Sequence, residues 1–204
     1  EDIMINYTPF GHSDWQSIVS DIKKFGEAGK KTAVVSTVNG DANVPFYKEL
    51  GAQGISSEDI PVIAFSVGEE ELSGMDAEPL VGHLAAWNYF MSVDTEANEE
   101  FVETWQSFIK SEKRVTNDPM EAHYVGFNMW AQAVTNAGTT DPESVQDALI
   151  GVSVPNLSGG YSTMLPNHHI TKPVLIGEIQ DDGQFDIPTH NLKNGKTIKC
   201  NKEG

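Results

Sequence analysis

The chain is poor in the residues that build oxidised, basic or membrane-spanning proteins. It carries one cysteine, Cys200. A single thiol closes no internal disulfide, and neither a CxxC pair nor a Cys/His cluster is present to hold zinc. Lys and Arg total 13 against 30 Asp and Glu, a formal net charge of −17. That balance repels phosphate backbones and anionic lipid, so nucleic acid is not an expected partner. No run of about 18 apolar residues occurs, so direct membrane insertion is not expected either. The motifs that announce chemistry are also missing: there is no GxSxG, P-loop, GxGxxG or HExxH. Accordingly no catalytic residue, no metal ligand and no cofactor is expected. His168 and His169 are adjacent, and neighbours on a strand point to opposite faces, which is poor geometry for chelating one ion.

What remains is an acidic, soluble composition with enough apolar residues, 39%, to build a real core. The first half alternates strand and helix. Ile3 to Tyr7 reads as a short buried strand. A helix capped by Ser13 or Asp14 runs to about Ala28, with Trp15, Ile18, Val19, Ile22 and Phe25 on one face. Thr32–Ser36 and Pro61–Phe65 are β-rich runs. Between them lies a helix from Ala42 to Leu50, capped by Asp41 with Pro45 in its first turn. Glu69 to Leu72 starts a short helix, and Leu80 to Phe90 is extended and apolar. Repeated strand–helix–strand units predict an α/β fold with parallel sheets flanked by helices.

The middle third is helical. Asn98 to Glu112 places Phe101, Trp105, Phe108 and Ile109 inward. Asp118-Pro119 opens a longer helix with the stripe Met120, Tyr124, Phe127, Ala131 and Val134, which Gly138 ends. Asp141-Pro142 opens a third, burying Val145, Ala148 and Leu149. Strands return at Gly160–Leu165, Val174–Ile179 and Gln184–Ile187, the last two joined by an Asp182-Gly183 hairpin signal. The tail from Asn191 is rich in Lys and Asn, and no internal repeat is visible.

In parallel sheets, ligands gather at the carboxyl ends of strands. Asn39, Gly40 and Asp41 follow the second strand, and Ser66 and Glu69 follow the third. Each group also has a plain structural reading: a turn with an Asp41 cap, and a capping box from Ser66 to Glu69. Trp87 and Tyr89 fall on one side of the extended segment, as core packing or as the wall of a cleft. The triplet Glu69-Glu70-Glu71 fans around a helix start, where it complements the dipole.

Six strings occur in one order: Gly11-His12-Ser13-Asp14-Trp15, Asn39-Gly40-Asp41-Ala42-Asn43-Val44, Phe65-Ser66-Val67-Gly68-Glu69-Glu70-Glu71-Leu72, Val81-Gly82-His83-Leu84-Ala85-Ala86-Trp87-Asn88-Tyr89-Phe90, Asn117-Asp118-Pro119-Met120-Glu121-Ala122 and Asn167-His168-His169. Together they resemble the urea and short-chain-amide substrate-binding proteins of ABC transporters, within the type I periplasmic-binding-protein fold. The resemblance runs from about Ile5 to Ile187. It implies two lobes joined by crossover strands, with the first lobe incomplete here. Residues 1–90 then form the ligand-binding part of lobe two, 91–157 supply helices to lobe one, and 158–204 return to lobe two.

The resemblance further implies a periplasmic or extracytoplasmic receptor, with any signal peptide outside this chain, that delivers its ligand to an ABC transporter permease. The ligand would be urea or a short-chain amide. Acceptors at Asn39, Asp41 and Glu69 suit its NH₂ groups, and the Ser66 hydroxyl serves as donor or acceptor. A branched-chain amino-acid receptor, with Glu69 holding the ammonium, remains the alternative, as does an amide-sensing regulator of an RNA-binding antiterminator. An amidase would need a nucleophile and base that the sequence does not show. The 120–134 stripe would pack on a lobe-one sheet absent from this chain, so it should be exposed or covered by another polypeptide.

Overall fold

Helix α1 (Gln16–Gly26) is held by the expected apolar face: Val19 and Ile22 are buried with Trp15, whose indole N–H donates to His12 O at 3.1 Å. The described residues of this computed structural model are 2–187, so the tail from Asn191 and Cys200 lies outside them. Neither Ser13 nor Asp14 caps the helix through its side chain; it begins one or two residues later, after Trp15. The first expected strand does not form: Ile3 to Tyr7 pairs with nothing among the described residues, and Ile3, Ile5 and Tyr7 are exposed rather than buried.

Strands β1 (Val34–Ser36), β2 (Val62–Ala64) and β3 (Leu84–Trp87) are mutually parallel, as the strand–helix alternation requires. The sheet is nevertheless mixed. β6 (Leu175–Ile179) runs antiparallel to β3 and β7 (Phe185–Asp186) antiparallel to β6, giving the order β1-β2-β3-β6-β7. The β6–β7 hairpin turns at Gly183, with φ of 77° and its N–H on Gln180 O at 3.1 Å. Gly82, with φ of 86°, breaks the long extended run, so β3 is only four residues.

Helix α2 (Asn43–Ala52) starts after a 3-10 turn at Gly40–Ala42, and Asp41 does not cap it. Its Phe46, Tyr47 and Leu50 pack with Trp15, Val62, Leu72, Phe90 and Phe185 in the main core. Each large apolar side chain buried there is worth about 1.5–3 kcal/mol. The Phe90–Phe185 pair, 4.5 Å between centroids, sits on the glycine of β6: a Cβ at Gly177 would lie 2.9 Å from both rings.

A second core gathers on the long helix. Helix α4 (Glu96–Ile109) is capped by Thr95, whose side chain accepts from Asn98 N–H. Helix α5 (Asp118–Ala137) is capped by Asn117, one residue before the expected cap, and ends at Gly138 with φ of 66°. Helix α6 (Pro142–Leu149) is capped by Asp141, as the sequence predicts. The hairpin of β4 (Ser153–Pro155) and β5 (Tyr161–Thr163) forms a separate two-stranded sheet against them. The buried row of α5 is Glu121, Val125, Met129 and Ala133, rotated from the predicted stripe because α6 and β4 approach that side. Tyr124, Phe127 and Trp130 are exposed at 46%, 64% and 44%, whereas Met120, Ala131 and Val134 of the expected stripe are half-buried. Phe108 of α4 is exposed rather than inward; no described element covers it.

Candidate functional site

The carboxyl ends of β1 and β2 open on the same edge, since Ser36 pairs with Ala64 in parallel register. Asn43, fully buried at the start of α2, clamps their exits: its Nδ2 donates to Val38 O and to Ser66 O, each at 2.9 Å. The loops carrying Asn39, Gly40 and Asp41 and carrying Ser66 are therefore held side by side. Asn39, Gly40 and Asp41 are exposed and Ser66 is half-buried. Gly40 has φ of 62°, a conformation that lets this loop turn tightly at the edge.

The third wall is β3. The Trp87 ring lies against Gly68, where an added Cβ would come within 2.7 Å of it. Gly68 precedes helix α3 (Glu69–Leu72), and its N–H donates to Glu71 Oε2 at 2.9 Å. The expected Ser66–Glu69 box does not form; the helix start is held by this single bond from Gly68 N–H to Glu71. Burial raises the Glu71 carboxyl above its ordinary range, with the charges of Glu70 and Asp41 adding to the effect.

Glu69 and Tyr89 lie behind this edge rather than on it. Glu69 is fully buried; its Oε1 accepts from Met91 N–H, and its Oε2 has no partner. Burial pushes its carboxyl up to about 8 against the bonds from its own and the Met91 N–H, and Glu71 and Asp118 add repulsion. Tyr89 is fully buried too. Its hydroxyl donates to Asn98 Oδ1 at 2.7 Å and accepts from Thr116 Oγ1 at 2.7 Å, and burial raises its phenol above the ordinary value.

Behind Glu69 the chain crosses between the two cores, leaving the first after β3 and returning to it before β6, and the crossings are tied together. Asn88 N–H donates to Asp118 Oδ2 at 2.9 Å, Asn88 Nδ2 to Pro173 O at 2.6 Å, and Ser158 Oγ to Asn88 O at 2.7 Å. Asn98 Nδ2 donates to both Met91 O and Val93 O at 2.8 Å. Lys172 pairs with Glu121 and reaches Asp118 at 4.0 Å, its side chain 8% exposed. Burial raises both carboxyls, and Lys172 opposes the rise. Sequence reasoning missed Asn98, Asp118, Glu121 and Lys172 as a set. Asp118 and Glu121 sit in the first turn of a helix, where acidic residues need no further explanation, and Lys172 is 51 residues from Glu121. The buried Asn43 was legible only as a helix-start residue.

The edge is thus rich in acceptors: the exposed Asn39 and Asp41, the Ser66 hydroxyl, and the carboxylates of α3 behind them. Arg114 reaches Glu70 of α3 at 3.9 Å. His168 and His169 lie in the turn after β5, exposed and away from this edge. Among the described residues no group of three or more His, Cys, Asp or Glu is placed to hold a metal, and no helix is long and apolar enough to cross a membrane.

Residues 1–198 match the family described as “Periplasmic binding protein domain”. Among solved structures, a solute-binding protein of an ABC transporter from Rhodopseudomonas palustris HaA2, in complex with p-hydroxybenzoic acid, is similar with a TM-score of 0.73 at 22% identity, over 88% of this chain and 48% of that one. A leucine-binding protein from Thermotoga maritima MSB8 is similar with a TM-score of 0.65 at 15% identity, over 87% of this chain and 48% of that one. The chain spans about half the length of these structures. A curated relative from Geobacillus stearothermophilus, named limonene hydroxylase, is 31% identical over 113 residues, which are 55% of this chain and 20% of that protein.

Proposed function

Because the chain belongs to the periplasmic binding protein domain family, we propose that it is part of a two-lobed, extracytoplasmic solute receptor serving an ABC transporter permease. In this reading it captures a small neutral N–H donor, urea or a short-chain amide, and does not transform it. The observation that carries the reading is the Asn43 clamp, which sets Asn39, Gly40, Asp41 and Ser66 together at one strand edge beside Trp87.

Urea is planar and uncharged, with two NH₂ groups and one carbonyl. Exposed acceptors at Asn39 and Asp41 meet the NH₂ groups, and the Ser66 hydroxyl meets the carbonyl. Trp87 supplies a flat apolar wall. A wrong solute that leaves one of these groups desolvated and unpaired loses about 1–3 kcal/mol, which is the basis of selection. Glu69 and Tyr89 act from behind: they fix Met91 and the 88–93 crossing and so set the position of the wall. The lobes divide as two cores, with 1–90 in the α/β lobe and the helical part beginning at 91. In this reading 91–157 supply helices to the other lobe and the chain returns to the α/β lobe from 158, with the hairpin β4–β5 packed on α5 near that return. Ligand closure shifts an open–closed equilibrium about these crossings, and the closed form is what the permease reads.

The alternative is an amino-acid receptor, since the unpartnered Glu69 Oε2 invites an ammonium. A carboxyl pushed up to about 8 is mostly neutral at pH 7, and a neutral acid does not offset an ammonium's charge. Calorimetric titration with urea, acetamide, formamide and leucine separates the two readings. Heat with the amides supports the first; heat with leucine alone supports the second.

A further inference from the structure

The backbone of Met91, in the crossing that follows β3, is held from both cores. Its N–H donates to Glu69 Oε1 on α3, and its C=O accepts from Asn98 Nδ2 on α4 at 2.8 Å. Three residues earlier Asn88 N–H is held by a second carboxylate, Asp118 of α5, at 2.9 Å. The two carboxylates keep different company. Lys172 stands 4.0 Å from Asp118 and pairs with Glu121. Among the described residues no cation pairs with Glu69, and its Oε2 meets no hydrogen-bond partner although it is fully buried.

The groups around Glu69 oppose an anion there. Glu71 on its own helix and Asp118 on α5 both repel it. Tyr89 in the crossing has its hydroxyl taken up by Asn98 and Thr116. Further off, Lys172 is engaged by Glu121, and Arg114 reaches only the exposed Glu70. The N–H groups of Glu69 and Met91 favour the anion, but burial outweighs them. A buried carboxyl without a cation is relieved in two ways: it keeps its proton, or it reaches water. We propose that Glu69 is a proton-operated latch: the neutral acid pins Met91 and the 88–93 crossing to α3, and loss of its proton to solvent releases them. β3 runs directly into this crossing, so the latch also fixes Trp87 as the wall of the candidate site; in that respect the proposal rests on the receptor reading above. Solute binding that needs the wall in place then favours the protonated form.

Held in place, the carboxyl is raised to about 8; released to water, it titrates at its ordinary 4.5. Between these values each pH unit multiplies the released population roughly tenfold. Hydrogen–deuterium exchange on the full chain without solute, from about pH 5 to pH 8 and with intrinsic rates divided out, tests the latch. Protection at 89–93 should lie on the order of tenfold or more below that of β2, and in the wild type it should fall roughly tenfold per pH unit. In Glu69→Gln, which keeps the acceptor for Met91 N–H, protection at 89–93 should not change with pH. Three results would overturn the proposal. One is protection at 89–93 that ignores pH in the wild type. Another is protection there equal to that of β2 throughout, which means that only global unfolding exposes Glu69. The third is the same slope in Glu69→Gln, which assigns the titration to another group. Any of these leaves the receptor reading standing, because no solute is present; the calorimetric titration fails that reading separately.

Discussion

Replacing Glu69 with Gln removes a charge while keeping the acceptor for Met91 N–H, so it isolates what burial of this carboxyl costs. Glu69 is fully buried, and its pKa is raised from 4.5 to about 8, chiefly by burial. The sign follows from linkage. A group that holds its proton more tightly in the folded state contributes stability that is fully present below its unfolded pKa. That stability is lost as pH rises toward the folded pKa. The window is therefore about pH 4.5 to 8. At about 1.4 kcal/mol per pH unit the loss reaches on the order of 5 kcal/mol, less whatever local relaxation recovers. Guanidinium unfolding followed by tryptophan fluorescence, at intervals from pH 5 to pH 8, measures it. Wild type and Glu69→Gln should be close in stability at pH 5, and the variant should be the more stable by several kcal/mol at pH 8. A difference between the two that stays constant across this range would refute the reasoning, because it would mean that Glu69 ionises in the fold as it does in water.

Lys172→Met strands the buried carboxylates of Glu121 and Asp118 and should cost about 3–5 kcal/mol at neutral pH, recovered in part on acidification, as read by denaturant unfolding. Gly177→Ala drives a Cβ to 2.9 Å from Phe90 and Phe185 and should lower stability by about 1–3 kcal/mol, seen as a depressed melting temperature. Asn43→Ala removes both clamps between the strand exits and deprives the half-buried Val38 and Ser66 carbonyls of their partner, at about 1–3 kcal/mol. Its hydrogen exchange should quicken at residues 38–41 and 65–68 more than in β2.

Local pattern carried most of the fold. The cap at Asp141, the stop at Gly138 and the turn at Gly183 were legible because each is decided within a few residues, whereas the Thr95 cap was missed and its helix was read from Asn98. The parallel start of the sheet followed from strand–helix alternation. What was not legible depends on distant chain. The antiparallel return of β6 and β7 is set by a hairpin packing on β3, more than 80 residues after it. The face of α5 was read one position off, since Tyr124, Phe127 and Trp130 are as apolar as Val125 and Met129, and only the arrival of α6 and β4 decides between them. In the same way the exits of β1 and β2 marked a site from sequence, but Asn43, which joins them, looked like any residue at a helix start. The buried set Asp118, Glu121 and Lys172 joins residues that no spacing rule connects.

Isothermal titration of the protein with urea, acetamide, formamide, leucine and 4-hydroxybenzoate, repeated with Asp41→Ala, tests the central claim most directly. The account predicts saturable heat with the amides, no release of ammonia from them, and affinity lowered on the order of tenfold or more when the Asp41 acceptor is removed. Saturable heat with leucine or 4-hydroxybenzoate and none with any amide, undiminished in Asp41→Ala, would contradict it.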